Sequence, residues 1–193
     1  RQITDGTYWP STGGGFEYYW SPDGKWFTLT FTGNKHDPYY DIGIVSAQGG
    51  EITNLTNSGY ASGSPRWVMD GNAVLFTSER YGMRNHASWG SMEDVFLCFV
   101  NQDAYDKYRL SKEDYELLKE VEKEQEKLKK NADKKDAKKD DDKKDDKKDA
   151  VKDIVMELDG IQDRIVRLTP NSSSLGSAII DKKGETLYYT ASF

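Results

Sequence analysis

The sequence predicts an all-β fold, and more specifically a partial β-propeller of two full blades and part of a third, with a helical and disordered charged insertion. Three similar segments, a blade-length spacing between the first two, and one charged stretch that interrupts the repeats support this prediction. A four-stranded blade occupies roughly 40–50 residues. We therefore assign propeller blades to 1–100, the insertion to 101–150, and strands that continue the second and third blades to 151–193.

The three similar segments each read as a strand, a tight turn and a second strand. They cover residues 20–31, 67–78 and 180–191. The glycines of their turns are Gly24, Gly71 and Gly184. Glycine can take the positive φ angle that a two-residue hairpin or its bulged variant requires. The spacing from Asp23 to Asp70 is 47 residues, which fits one blade.

Short segments that end in threonine form a second marker, at 1–4, 51–56 and 164–169. For the first unit the alternation of apolar and polar residues predicts strands at 16–20, 25–31, 40–46 and 51–55. For the second unit it predicts strands at 65–68, 72–77, 94–100 and 163–168, with a possible extra strand at 154–158. The third unit is expected to stop after its second strand. Both ends are expected to be cuts through a longer protein.

The insertion is predicted to begin with a helix. Ser111 can cap backbone N–H groups, and the acidic Glu113 and Asp114 favour the positive end of the helix dipole. Opposite charges three residues apart support the continuation of the helix. Leu117, Val121 and Leu128 form a thin apolar stripe, which leaves open whether the helix docks on the propeller, pairs with another helix or stands solvated.

The second part of the insertion, from Lys130 to Asp149, consists almost entirely of Lys and Asp blocks. Because such a stretch has nothing to bury, it predicts disorder. A calcium-binding loop needs ligands at alternate positions, a glycine at the bend and a bidentate glutamate. The run contains neither glycine nor glutamate, so we interpret it as a linker.

Composition excludes several classes of function. The net charge is −6 and no cluster of uncompensated Lys and Arg is present, which argues against a nucleic-acid partner. No run approaches the roughly 20 apolar residues that span a bilayer, so no membrane partner is predicted. The single cysteine, Cys98, lies in the apolar run 95–100 and is interpreted as a core residue rather than a nucleophile.

Motifs that carry chemistry are missing. The two histidines, His36 and His86, fall in different predicted loops, and no zinc-ligand pair or Gly-x-Ser-x-Gly elbow occurs. The glycines at 13–15 lack the following helix that a phosphate loop needs. We therefore predict no catalytic residues, no cofactor site and no metal ligands in this chain.

One loop, at 79–90, is a candidate for contact with a peptide or another ligand. It joins the second and third predicted strands of the second unit, and loops on a propeller face carry binding functions. Its residue types are enriched at recognition hot spots. The candidate residues are Arg80, Tyr81, Arg84, His86 and Trp89. Packing of this loop on a neighbouring blade is the alternative interpretation.

The residues also resemble a known family. Trp-Ser-Pro-Asp-Gly-Lys at 20–25 and the stretch 40–56 are similar to the repeat of the TolB propeller and of tricorn-like peptidases. The loop beginning Arg-Tyr-Gly at 80–82, the start of the insertion at 103–115 and the return at 159–169 resemble tricorn-like serine peptidases of bacteria. The third repeat departs from this pattern, with Lys-Lys-Gly at 182–184 in place of Pro-Asp-Gly.

This resemblance implies tandem propellers, a PDZ-like module and a separate serine-peptidase domain that holds the catalytic residues. The chain would then be a non-catalytic segment that guides or gates peptide substrates to a catalytic domain outside it. Its partners would be peptides or the remaining domains of the parent protein, in the periplasm or alternatively the cytoplasm. A TolB-like scaffold for protein–protein interaction is the alternative function.

Overall fold

The structure is a computed structural model that describes residues 2–8, 17–33, 39–84, 90–136 and 152–192. Within these ranges the chain forms ten strands and two α-helices. The strands are β1 (Tyr18–Trp20), β2 (Trp26–Phe31), β3 (Asp41–Ser46), β4 (Thr53–Asn54), β5 (Ser62–Val68), β6 (Ala73–Ser78), β7 (Asp94–Phe99), β8 (Ile165–Arg167), β9 (Ser174–Ile180) and β10 (Leu187–Ser192). The helices are α1 (Gln102–Tyr108) and α2 (Lys112–Asp136).

The strands form three antiparallel sheets. The first sheet has the order β1-β2-β3-β4, the second β5-β6-β7-β8, and the third pairs β9 with β10. In every sheet, strands that follow one another in the chain are neighbours in space. Strands make up the larger part of the regular secondary structure of the described residues, in agreement with the predicted all-β class. β8 joins the second sheet after the insertion, so the insertion interrupts that sheet between its third and fourth strands.

One core lies between the first and second sheets. Alternate residues of each strand point to it, as the two-residue period of a strand dictates. Its buried members are Ile42, Ile44, Leu55, Val74, Phe76, Phe96, Cys98, Val100 and Ile161. Burial raises the pKa of the Cys98 thiol to about 12. This keeps the thiol protonated at neutral pH and confirms its interpretation as a core residue.

The first and second sheets are also joined by polar contacts from β5 to β1. The indole N–H of Trp67 donates to the Tyr19 carbonyl at 3.1 Å. The Arg66 guanidinium lies 3.7 Å from the centre of the Tyr19 ring. The opposite face of the first sheet buries a smaller cluster, which comprises Leu29, Phe31, Val45 and Ile52. The first sheet is therefore apolar on both faces.

In both four-stranded sheets, the same buried contact joins the start of the third strand to a threonine that follows the fourth strand. Asp41 begins β3 and Asp94 begins β7, and both are fully buried. Thr56 Oγ1 donates to the Asp41 carboxylate at 2.6 Å, and Thr169 Oγ1 donates to Asp94 at 2.7 Å. Each threonine oxygen also accepts from the N–H of the residue after the aspartate, at 3.1 and 3.2 Å. We call this arrangement the Asp–Thr latch.

The turn glycines have the predicted conformation. Their φ angles are 68° for Gly24, 91° for Gly71 and 77° for Gly184. Glycine adopts a positive φ angle at no steric cost, which explains why it recurs at this point of each segment.

The extra strand considered at 154–158 is not formed. Residues 152–158 contain no strand, and Ile154, Met156 and Leu158 instead pack against the core between the sheets. The buried Arg164 side chain explains the difference. Its guanidinium donates to the carbonyl of Glu157, which a strand would use to pair with a neighbouring strand, and to that of Asp159 just after the segment.

The described residues 105–136 belong to a second compact unit. Ser111 Oγ accepts from the Asp114 N–H at 3.1 Å, which confirms the predicted cap of α2. Helix α2 extends to Asp136, so the expectation of disorder from Lys130 is wrong for its first residues. A helix, once nucleated, propagates at little cost through residues without Gly or Pro. The remainder of the Lys/Asp run lies outside the described residues.

Helix α1 was not predicted. The Asn101 side chain caps it by accepting from the Ala104 N–H at 2.8 Å. Neither described helix is both long and apolar enough to cross a membrane.

Candidate functional site

The predicted recognition loop starts directly after β6. Of its five candidate residues, Arg80, Tyr81 and Arg84 are described and exposed, whereas His86 and Trp89 lie outside the described residues. The Met92 N–H donates to the Met83 carbonyl at 2.8 Å, so these two described parts of the loop lie side by side. The structure therefore places part of the predicted site at one end of the second sheet.

Guanidinium groups in this region lie against tyrosine rings. Tyr81, which is 58% exposed, has the Arg80 guanidinium 5.6 Å and the Arg167 guanidinium 5.3 Å from its ring centre. The Arg84 guanidinium lies 4.5 Å from the ring centre of Tyr60. Such contacts are attractive because the face of an aromatic ring is electron-rich. They hold the arginine side chains in place on the surface.

Arg167 connects this surface to the Asp–Thr latch of the second sheet. Its Nη2 forms an ion pair with Asp94 Oδ1 at 2.8 Å. No ion pair joins Arg80 or Arg84 to a carboxylate within the described part of the chain. The positive charge of Arg167 is thus neutralised, and the charges of Arg80 and Arg84 face solvent.

Sequence reasoning missed Tyr60 and Arg167 as parts of this surface. Tyr60 lies in the segment between the first and second sheets, and Arg167 is far from the loop in sequence. A signal was available for Arg167, because it stands two residues before Thr169, in the threonine-ending marker. By itself, that marker indicates only the end of a strand.

A cleft of about 140 Å³ lies between β6 of the second sheet and β9 of the third sheet. Its walls mix apolar side chains with hydroxyls and one carboxyl group. The lining residues are Ser64, Leu75, Phe76, Thr77, Glu93, Leu175, Gly176, Ser177 and Ala178. They come from four separated parts of the sequence, so no local pattern could have revealed the cleft.

Glu93 is the ionisable group of this cleft. Burial raises the pKa of its carboxyl group, and the negative charge of Glu79 raises it further, against the lowering effect of a hydrogen bond from Thr77. Glu79 is 1% exposed, and its Oε1 accepts from the Ala61 N–H at 3.2 Å. Two carboxyl groups therefore share a region with little access to water.

Ser173 lies directly opposite Glu93 in an antiparallel bridge. The Glu93 N–H donates to the Ser173 carbonyl at 2.8 Å, and the Ser173 N–H donates to the Glu93 carbonyl at 3.1 Å. The Ser173 hydroxyl is fully buried and has no hydrogen-bond partner among the described residues.

The described residues contain no group of three or more His, Cys, Asp or Glu side chains that could hold a metal ion. What they offer is a surface of two solvent-facing guanidinium groups and a separate acidic cleft. Both are suited to binding.

A stretch of 58 residues is 38% identical to a Bacillus subtilis (strain 168) protein named "Uncharacterized peptidase YuxL". The match covers 30% of this chain and 8% of that protein. No family model and no solved structure matches the chain. Over less than a third of its length, the chain is therefore similar to part of a peptidase.

Proposed function

We propose that this chain is a non-catalytic β-propeller segment of a peptidase, which binds peptide substrates and guides them to a catalytic domain outside the chain. The observation that carries the proposal is the exposed arginine–tyrosine surface at one end of the second sheet. It consists of Arg80, Tyr81 and Arg84, with Tyr60 and Arg167 in support. The similarity to part of a peptidase supports the proposed context.

The sheets support the propeller part of this proposal. Two successive four-stranded antiparallel sheets, each with its strands in chain order, bury a common core and carry the same Asp–Thr latch. Blades of a propeller are repeated four-stranded sheets of this kind. The chain after the insertion supplies β8, the fourth strand of the second sheet. This is expected if the insertion lies between two strands of a single blade.

The loop supports the peptide-binding part. Arginine and tyrosine dominate binding hot spots, because they combine apolar area with hydrogen-bond donors. The stacked guanidinium groups lose less conformational freedom on binding than free side chains would. Tyr81 and the 67% exposed Met83 offer apolar surface beside these charges. A peptide could bind through its carbonyl and carboxylate oxygens and through its apolar side chains.

Fluorescence anisotropy with labelled peptides tests the proposal. We expect the double variant Arg80→Gln/Arg84→Gln to bind peptides about tenfold more weakly than the unchanged chain, since two hot-spot residues are lost. The matched control is Lys152→Gln/Lys182→Gln, which removes the same charge from exposed sites elsewhere and should bind normally. Equal binding by both variants, or failure of the folded chain to bind any peptide, would contradict the proposal and favour a protein-interaction scaffold.

A further inference from the structure

The cleft between β6 and β9 combines apolar and polar walls. Leu75 supplies apolar surface, while Ser64, Thr77 and Ser177 supply hydroxyl groups. A volume of about 140 Å³ is several times what one water molecule needs, so the cleft has room for a small charged group with part of an aliphatic stem. The cleft is open to solvent on one side, because Ser64 and Ser177 are exposed.

The charge in the cleft is negative. Glu93 lines it, and the buried Glu79 is close enough to influence Glu93 electrostatically. No Lys or Arg forms an ion pair with Glu93 among the residues that the structure describes. A half-buried carboxylate without a cation costs free energy, which a bound cation would recover.

An unsatisfied hydroxyl group lies beside this carboxyl group. Residues directly opposite each other in an antiparallel pair direct their side chains to the same face. The Ser173 side chain is therefore on the same side as that of Glu93, which lines the cleft. Because buried polar groups in native proteins almost always have a partner, the unpaired Ser173 hydroxyl is a second indication of a missing polar group.

We propose that this cleft binds the ammonium group of a lysine side chain carried by a peptide, with Glu93 as its ion-pair partner. Hydroxyl groups of Thr77 and Ser177, which line the cleft, can accept its remaining hydrogen bonds. The apolar stem of the lysine lies along Leu75, as lysine stems do on apolar surface. The net charge of −6 attracts such cations over a distance. The inference rests on the proposed function in one respect, since it takes a peptide as the carrier.

Isothermal titration calorimetry with three capped peptides tests the site. Acetyl-Gly-Lys-Gly-amide carries only a side-chain ammonium group, Gly-Ala-Gly-amide only an N-terminal one, and acetyl-Gly-Ala-Gly-amide neither. We expect the first to bind most tightly, and Glu93→Gln to weaken its binding at least about tenfold, as loss of a buried charge partner does. The control Glu51→Gln removes the same charge from an exposed turn and should leave binding unchanged.

The pH dependence of binding to the unchanged chain provides a test that needs no variant. Binding of an ammonium group should weaken as the pH falls through the raised pKa of Glu93, because protonation removes the charge. The ionisable group that acts on Glu93 is Glu79, at the end of β6. The lining residues from β5 and β9, which are Ser64 and residues 175–178, carry no ionisable side chain.

The outcomes separate this inference from the proposed function. If Glu93→Gln binds the lysine peptide normally, the cleft is not the lysine site, but the proposed function is unaffected. The same conclusion holds if peptides bind only through Arg80 and Arg84. If Gly-Ala-Gly-amide binds more tightly than acetyl-Gly-Lys-Gly-amide, the ligand of the cleft is an N-terminal ammonium group and not a lysine side chain. Binding of N-acetyl-lysinamide through Glu93 without binding of longer peptides would support the cleft and contradict the function.

Discussion

Asp41 and Asp94 occupy equivalent places in two successive sheets, at the start of the third strand. Both are fully buried, and both accept a hydrogen bond from a threonine that follows the fourth strand. The sequence shows the threonines as a repeated strand end, but it does not show their partners. An aspartate before an apolar strand carries no sign of burial, so the latch could be found only from the structure.

Removal of the Asp94 carboxylate should destabilise the protein strongly. In Asp94→Ala the hydroxyl groups of Thr169 and Ser172 and the Arg167 guanidinium each lose a carboxylate acceptor. Breaking a buried, charged contact of this kind costs about 3 kcal/mol of unfolding free energy. Urea denaturation should record that loss for Asp94→Ala and almost none for the exposed Asp153→Ala. Equal unfolding free energies for Asp94→Ala and Asp153→Ala would show that the Asp–Thr latch does not stabilise the second sheet.

The stability of the protein should depend on pH through Glu93. Its pKa in the folded protein is raised above the usual value of 4.5, so at a pH between the two values the folded state binds more protons than the unfolded state. Unfolding free energy therefore falls as pH rises through this interval. Glu93→Gln should have a higher melting temperature than the unchanged chain at pH 7, with the difference shrinking at pH 4. A difference that grows on acidification would contradict the raised pKa.

At the scale of elements, alternation of apolar and polar residues predicted the strands well. All eight strands predicted for the first two units are present, because one-sided burial imposes the alternation. The extra strand at 154–158 is not formed for a reason that lies elsewhere in the chain, since the Arg164 side chain donates to the Glu157 carbonyl of that segment. Helix α1 was missed because seven residues give only two turns of periodicity.

Two turn glycines allow a matched comparison. Gly24 has open space where a side chain would be, whereas a side chain at Gly71 would overlap that of Ile154. Both have positive φ, so Gly24→Ala should cost about 1 kcal/mol from backbone strain alone. Gly71→Ala should cost about 1–3 kcal/mol more, because the packed Ile154 must move. Chemical denaturation of both variants measures this difference, and equal losses would contradict the packing of residues 152–158 on this turn.

At the scale of the whole molecule, the repeats predicted the sheets but not the surfaces between them. The blade-length spacing indicated two successive units, and the structure forms two four-stranded sheets there. The arginine–tyrosine surface was predicted only in part, since Tyr60 and Arg167 reach it from other segments. The acidic cleft depends on contacts between β6, β9 and the bridge of Glu93 to Ser173, which a single sequence does not encode locally.

Binding without cleavage is the central feature of the proposed function. Its direct measurement is mass spectrometry of a peptide pool incubated with the purified chain. We expect peptides to be retained and recovered intact, since we predict binding residues but no catalytic residue in this chain. Cleavage products whose rate of formation falls when a serine of this chain, such as Ser64 or Ser177 of the cleft, is replaced by alanine would contradict it.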